Sequence, residues 1–116
     1  MRKKGYKGRC EKRSLPKFEG VCKTFDPIQY AYADILSGNK DIESIRCNVC
    51  LDGEECSEYM TDFVCTKVNG DLMVRECISQ KLLAKPQTAV HLDLSQSYWQ
   101  RRGVTDWGLV VDAAEE

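Results

Sequence analysis

The dipeptide Asn69-Gly70, set between two β-prone runs, constrains the fold of this chain more than any other feature. An Asn-Gly pair between such runs is a strong signal of a tight turn, so it predicts an antiparallel hairpin. The strand before the turn covers about 58–67, and the strand after it covers about 71–77 with Leu72, Val74 and Glu76 on one face. Each strand carries an acid, Asp62 on the first and Glu76 on the second. Aspartate is disfavoured in strands and costly to bury unpaired, so its place between Thr61 and Phe63 asks for a reason.

The flanking elements follow from punctuation and periodicity. Asp26-Pro27 reads as a helix N-cap followed by proline at the first helical position, and Ser37-Gly38 reads as the stop. Ile45, Cys47, Val49 and Leu51 then alternate with Arg46, Asn48 and Cys50, the period of a half-buried strand with one apolar face. Asp52-Gly53 predicts a turn. After the hairpin, residues 78–84 form a short helix or turn. Val90, Leu94 and Tyr98 give the stripe of a second helix over 87–102, stopped by Gly103. Trp107-Gly108-Leu109-Val110-Val111 has the composition of a fully buried strand. The expected fold is α/β: helix, three-stranded antiparallel meander, helix, strand, in a mixed sheet whose last strand joins the edge through a helical crossover.

With 116 residues the chain is long enough for one core. Residues 1–24 read as a basic N-terminal arm, ordered on a partner, and 25–116 as a single domain. Residues 1–13 hold seven basic side chains against Glu11, whereas the whole chain has a net charge of −1. A basic arm on an acidic body is suited to a polyanion such as nucleic acid, although a solubilising tail has the same composition. No apolar run reaches the roughly 18 residues of a membrane helix. No apolar stretch follows the basic start as in a secretory signal. With seven cysteines, an odd number at irregular spacing, the chain reads as a cytoplasmic protein with reduced thiols and no membrane partner.

Asp62 and Glu76, brought together across the hairpin, would form a two-carboxylate site for Mg²⁺ or Mn²⁺ beside a phosphate. Lys81, with Lys85 as the alternate, would add positive charge, against the simpler reading of a solvated surface lysine. Cys47-x-x-Cys50 with Cys56 behind it resembles half a zinc site, but lacks a second pair or a nearby histidine, and packing accounts for it better. His91, the only histidine, lies on the second helix as a surface or core residue. Tyr98-Trp99-Gln100-Arg101-Arg102 reads as a helix end with aromatics inward and arginines near the C-terminal dipole.

Three segments resemble the N-terminal catalytic domain of TnsA-type transposon endonucleases, within the PD-(D/E)xK restriction-endonuclease-like superfamily. They are the helix around Asp26 to Leu36, Tyr59-Met60-Thr61-Asp62-Phe63, and Ser97-Tyr98-Trp99-Gln100-Arg101-Arg102-Gly103-Val104 with Trp107-Gly108-Leu109-Val110-Val111. The resemblance implies a restriction-endonuclease-like core and metal-dependent cleavage of double-stranded DNA at the 5′ ends of a transposon. It also implies a DDE-type transposase partner, and it allows a homodimer. By resemblance, Asp62 and Glu76 bind the metal, Gln29 stands where the first helix usually has its glutamate, with Asp26 or Asp34 as less well placed substitutes, and Lys81 replaces an E-x-K lysine whose position holds Ile78, or Cys77 if the register slips by one. Two other classes compete: a catalytically inactive DNA-binding or transposase-assembly subunit on the same fold, and a small zinc module. Asp62→Ala is expected to abolish cleavage while leaving folding intact.

Overall fold

The computed structural model describes residues 10–51 and 60–111. Elements run in the order β1 (Glu11–Arg13), β2 (Cys22–Thr24), α1 (Pro27–Ser37), β3 (Ile42–Cys50), β4 (Met60–Lys67), β5 (Leu72–Ile78), α2 (Gln80–Leu83), α3 (Pro86–Arg101) and β6 (Asp106–Val111). The last four strands make one mixed sheet in the order β3-β4-β5-β6, with β3, β4 and β5 antiparallel and β6 parallel to β5. The chain is therefore α/β, and β6 reaches the sheet edge through α3 as the element pattern predicts.

Local chemistry sets the boundaries. Asp26 caps α1 by accepting from Gln29 N at 2.8 Å, and Pro27 occupies a first-turn site that needs no donor. In the hairpin Gly70 has φ +95°, and Asn69 Oδ1 accepts from Asp71 N at 2.9 Å. α1 packs on one face of the sheet, where Ala33 and Leu36 meet Ile45, Phe63, Cys65, Met73 and Cys77. α3 covers the other face, where Tyr98 and Trp99 meet Leu51, Val64, Val74 and Val104.

Four features depart from the sequence reading. Residues 11–24 are structured: β1 and β2 pair antiparallel, Cys22 and Thr24 are buried, and Phe18 bridges to Ile45 of β3. Residues 1–9, which hold most of the basic charge, and the predicted Asp52-Gly53 turn lie outside the described residues. β6 is an edge strand, half-buried rather than buried throughout, with Leu109 exposed. On α3 Tyr98 is buried and Leu94 packs partly buried against the same core as the stripe predicts, but Val90 faces solvent, and Ser95 and Trp99 complete the buried face.

The fourth departure shapes the site. β3 does not keep one apolar face. Ile45 and Cys47 join the α1-side core, but Val49 and Leu51 join the α3-side core. Between them Asn48 has φ +56°, a left-handed conformation that an Asn tolerates better than most residues. Its pairing partner by register is Asp62, because Cys47 faces Phe63 and Val49 faces Thr61. One left-handed residue thus reverses the alternation of two paired strands at the level of Asp62.

Candidate active site

The reversal turns Thr61 and Asp62 to opposite helices. Thr61 Oγ1 accepts from Trp99 Nε1 of α3 at 2.9 Å, and Asp62 Oδ1 accepts from Gln29 Nε2 of α1 at 2.9 Å. Without it, Asp62 would share a face with Val64 on the α3 side. β5 keeps its alternation, so Glu76 lies with Val74 towards α3, where Ser95 Oγ donates to Glu76 Oε2 at 2.6 Å.

The two acids still meet, at the end of the β4–β5 ladder. Regular pairing stops at Phe63 opposite Arg75. Beyond it, Asp62 N donates to Glu76 Oε1 at 3.2 Å and Cys77 N donates to Asp62 Oδ2 at 2.7 Å. Each carboxylate thereby serves a backbone donor next to the other acid. Asp62 is 1% exposed and Glu76 0%, and burial at that level is tolerable for carboxylates only when donors surround them.

Donors continue outward on both sides. Gln29 Oε1 accepts from Phe25 N at 2.7 Å, which orients the Gln29 amide so that its nitrogen faces Asp62. Trp107 Nε1 of β6 donates to Ser95 Oγ at 2.9 Å. A single hydrogen-bonded chain therefore runs from Phe25 through Gln29, Asp62, Glu76 and Ser95 to Trp107, crossing the sheet from one helix layer to the other. Three residues singled out in the sequence, Gln29, Asp62 and Glu76, belong to it.

Lys81 does not join them. It lies in α2, exposed, and no hydrogen bond or ion pair among the described residues ties it to either acid; Lys85, at the N-cap of α3, is also exposed. Ile78, where the resemblance would place a lysine, is buried in the sheet. Ser95, Thr61, Trp99 and Trp107 escaped the sequence reading as members of the site. Their signal was the need of a buried indole N–H for an acceptor, combined with a serine three and four residues before Tyr98 and Trp99 on the same helix face.

The donor set accords with a hard divalent cation. It consists of carboxylate oxygens, each with about two lone-pair directions, whereas the Gln29 carboxamide oxygen faces Phe25 N and only its N–H side faces Asp62. Among the described residues no cluster of three or more His, Cys, Asp or Glu side chains accompanies the pair. A cavity of about 650 Å³ lies beside the N-terminal end of α1, lined by Cys10, Glu11, Thr24, Phe25, Asp26 and Tyr30 among others. It adjoins the network through Phe25, whose N–H is bonded to Gln29.

The remaining sequence assignments settle into ordinary roles. Tyr98 and Trp99 are buried in edge-to-face contact, and the Arg102 guanidinium stacks 3.7 Å from the centre of the Tyr98 ring. His91 contacts Gln87 one turn earlier on α3 at 3.1 Å. Cys56, the third thiol of the zinc half-site, lies outside the described residues. No helix of the described residues is long and apolar enough to cross a membrane. No family model matches this sequence, and no curated protein matches it.

Proposed function

We propose that this chain is a metal-dependent endodeoxyribonuclease subunit of a TnsA-like transposition system, built on a restriction-endonuclease-like core. One observation carries the reading: Gln29, Asp62 and Glu76, from a leading helix and two hairpin strands, converge in one buried hydrogen-bonded chain. The order helix, antiparallel meander, helix, parallel edge strand is the one the resemblance implies. Asp62 and Glu76 would hold Mg²⁺ or Mn²⁺, which when bound supplies Lewis-acid activation of water and neutralises charge at the phosphate. Gln29 orients the Asp62 carboxylate, and Ser95 orients that of Glu76. Lys81 or Lys85, on the segment leaving β5, supplies positive charge to the DNA phosphate. The basic residues at the start of the chain add non-specific affinity for DNA, and a DDE-type transposase would cut the other strand.

A specific observation favours a second reading, an inactive DNA-binding or transposase-assembly subunit. Buried Ile78 stands where the resemblance would place a lysine, and the carboxylates already serve as acceptors within the fold. Calorimetric titration of Mn²⁺ with short duplex DNA present separates the two. Site-dependent binding in the wild type that vanishes in a folded Asp62→Asn variant supports the nuclease. Identical weak binding in both proteins refutes it and leaves the assembly subunit.

A further inference from the structure

Cys22 and Cys47 sit on different elements yet share one thiol environment. Cys22 is fully buried on β2, and Cys47, on β3, is partly exposed. The Cys47 sulfur lies 3.5 Å from Lys23 N and 3.6 Å from Val21 O, the backbone groups on either side of Cys22. The Cys47 sulfur therefore rests against the backbone on both sides of Cys22, accepting from Lys23 N and facing Val21 O. Both belong to the core that joins the β1–β2 hairpin to the sheet.

We propose that Cys22 and Cys47 form a reversible disulfide that tethers the β1–β2 hairpin to β3, with Cys47 as the attacking thiol and Cys22 as the resolving thiol. The chemistry balances with a hydroperoxide as oxidant. The Cys47 thiolate attacks one peroxide oxygen, the O–O bond breaks, and Cys47 becomes a sulfenic acid as one water is released. The Cys22 sulfur then attacks the Cys47 sulfur, the S–O bond breaks, and a second water leaves with the Cys22 proton. Two thiols are oxidised by two electrons, and one hydrogen peroxide is reduced to two waters.

The asymmetry of the pair sets the roles. A thiolate at Cys47 is stabilised first by the Cys22 thiol, then by the Lys23 N–H and Asn48, against the cost of burial, which brings it down to about 6 from the ordinary 9.0. The same hydrogen bond and burial hold Cys22 protonated, with Arg13 of β1 opposing and Asp34 of α1 reinforcing that shift. A partly exposed thiolate backed by a buried thiol is the arrangement of a peroxide-reactive cysteine beside a resolving one. The tether would act close to the acidic network. Asn48 follows Cys47, pairs by register with Asp62, and donates from Nδ2 to Lys23 O at 2.9 Å.

The test needs no nuclease activity, so it stands or falls apart from the proposed function. The full chain is treated with stoichiometric hydrogen peroxide, blocked with iodoacetamide, digested with trypsin and mapped by mass spectrometry. Lys23, Lys40 and Arg46 place the two cysteines on separate peptides. The expected product is one cross-linked pair joining Cys22 to Cys47, reversed by dithiothreitol. In Cys22→Ala, Cys47 should stop at the sulfenic acid and become labelled by dimedone, which the wild type is not. Cross-links of Cys47 to Cys10, Cys50 or Cys56 instead, or equal dimedone labelling in both proteins, would overturn the proposal. Cys47→Ser, judged on the Cys22 peptide alone, serves if Cys22→Ala fails to fold; Cys22 oxidised as readily there as in the wild type would also refute it.

Discussion

Moving the buried negative charge from Asp62 to position 29 tests the network at its centre. Asp62 accepts from Gln29 Nε2 and Cys77 N, while Gln29 Oε1 accepts from Phe25 N. Asp62→Ala strands two buried donors at about 1–3 kcal/mol each, or about 2–6 in all. That is a large share of the roughly 5–15 kcal/mol that holds a domain together. The expectation that this variant keeps its fold therefore gives way, and lost cleavage in it would say little about catalysis. Asp62→Asn alone keeps an acceptor for Cys77 N but points an N–H at Gln29. Turning the Gln29 amide only moves the clash to Phe25, so about 1–3 kcal/mol is lost either way. Gln29→Glu alone sets two carboxylates face to face, which raises the pKa of one of them. Its destabilisation should ease as pH falls, because the folded state then binds more protons than the unfolded one. In the double variant every one of these donors has an acceptor again. The new carboxylate on α1 accepts from Phe25 N and from the new amide on β4, and the oxygen of that amide accepts from Cys77 N. Urea unfolding should place the double variant within about 1 kcal/mol of wild type, with a coupling energy above about 1 kcal/mol between the sites. Additive losses would refute the network as drawn.

Four further outcomes follow from the contacts of this fold. Ser95→Ala removes the 2.6 Å donor to Glu76 and the acceptor of Trp107 Nε1, so urea unfolding should show a loss of about 1–3 kcal/mol. Trp107→Phe should cost less than Ser95→Ala in the same assay, because Ser95 still donates to Glu76. Asn48→Val puts a β-branched residue at φ +56° and removes the bond to Lys23 O, and should destabilise by about 2 kcal/mol, whereas Asn48→Gly should lose less than half of that. Equal stability of the two variants would mean that the chain does not turn over at this residue. Asp106, hydrogen-bonded first by Lys67 and then by Arg75, has its carboxyl held below the ordinary 3.8. A depressed folded pKa stabilises above the unfolded value and is lost as pH falls through the folded one, so acid unfolding of Asp106→Asn should lack that part of the wild-type slope.

The legible parts of the fold are those written in short-range chemistry. Asp26-Pro27 and Asn69-Gly70 place the first helix and the hairpin because capping and turn geometry depend on adjacent residues. The meeting of Asp62 and Glu76 follows from the hairpin, but the alternation that puts them on one face does not hold. Simple alternation cannot foresee that Asn48 turns left-handed, since in sequence it is an ordinary outward position on its strand. The α3 stripe holds at Leu94 and Tyr98 but passes over Ser95, which is buried for its hydroxyl and so escapes a search for apolar spacing. The three-residue strands β1 and β2 are too short and too charged to show any period, and they gain their structure from burying Cys22 and Thr24 against the sheet.

The acids at the end of the β4–β5 ladder have a structural task whatever else they do. Where backbone pairing stops, Asp62 N and Cys77 N donate to the carboxylates of Glu76 and Asp62 reciprocally. A divalent cation would therefore share lone pairs with the fold, and it should bind the native chain far better than the unfolded one. That linkage gives a measurement independent of cleavage. At Mn²⁺ concentrations about 100-fold above the dissociation constant, a single native-state site adds about 2.7 kcal/mol of stability. The wild-type melting temperature should then rise with Mn²⁺, and the Gln29→Glu, Asp62→Asn double variant, folded but with its charge on the helix, should show a smaller rise. A wild-type melting temperature indifferent to Mn²⁺ with duplex DNA present would leave the carboxylates their structural task alone.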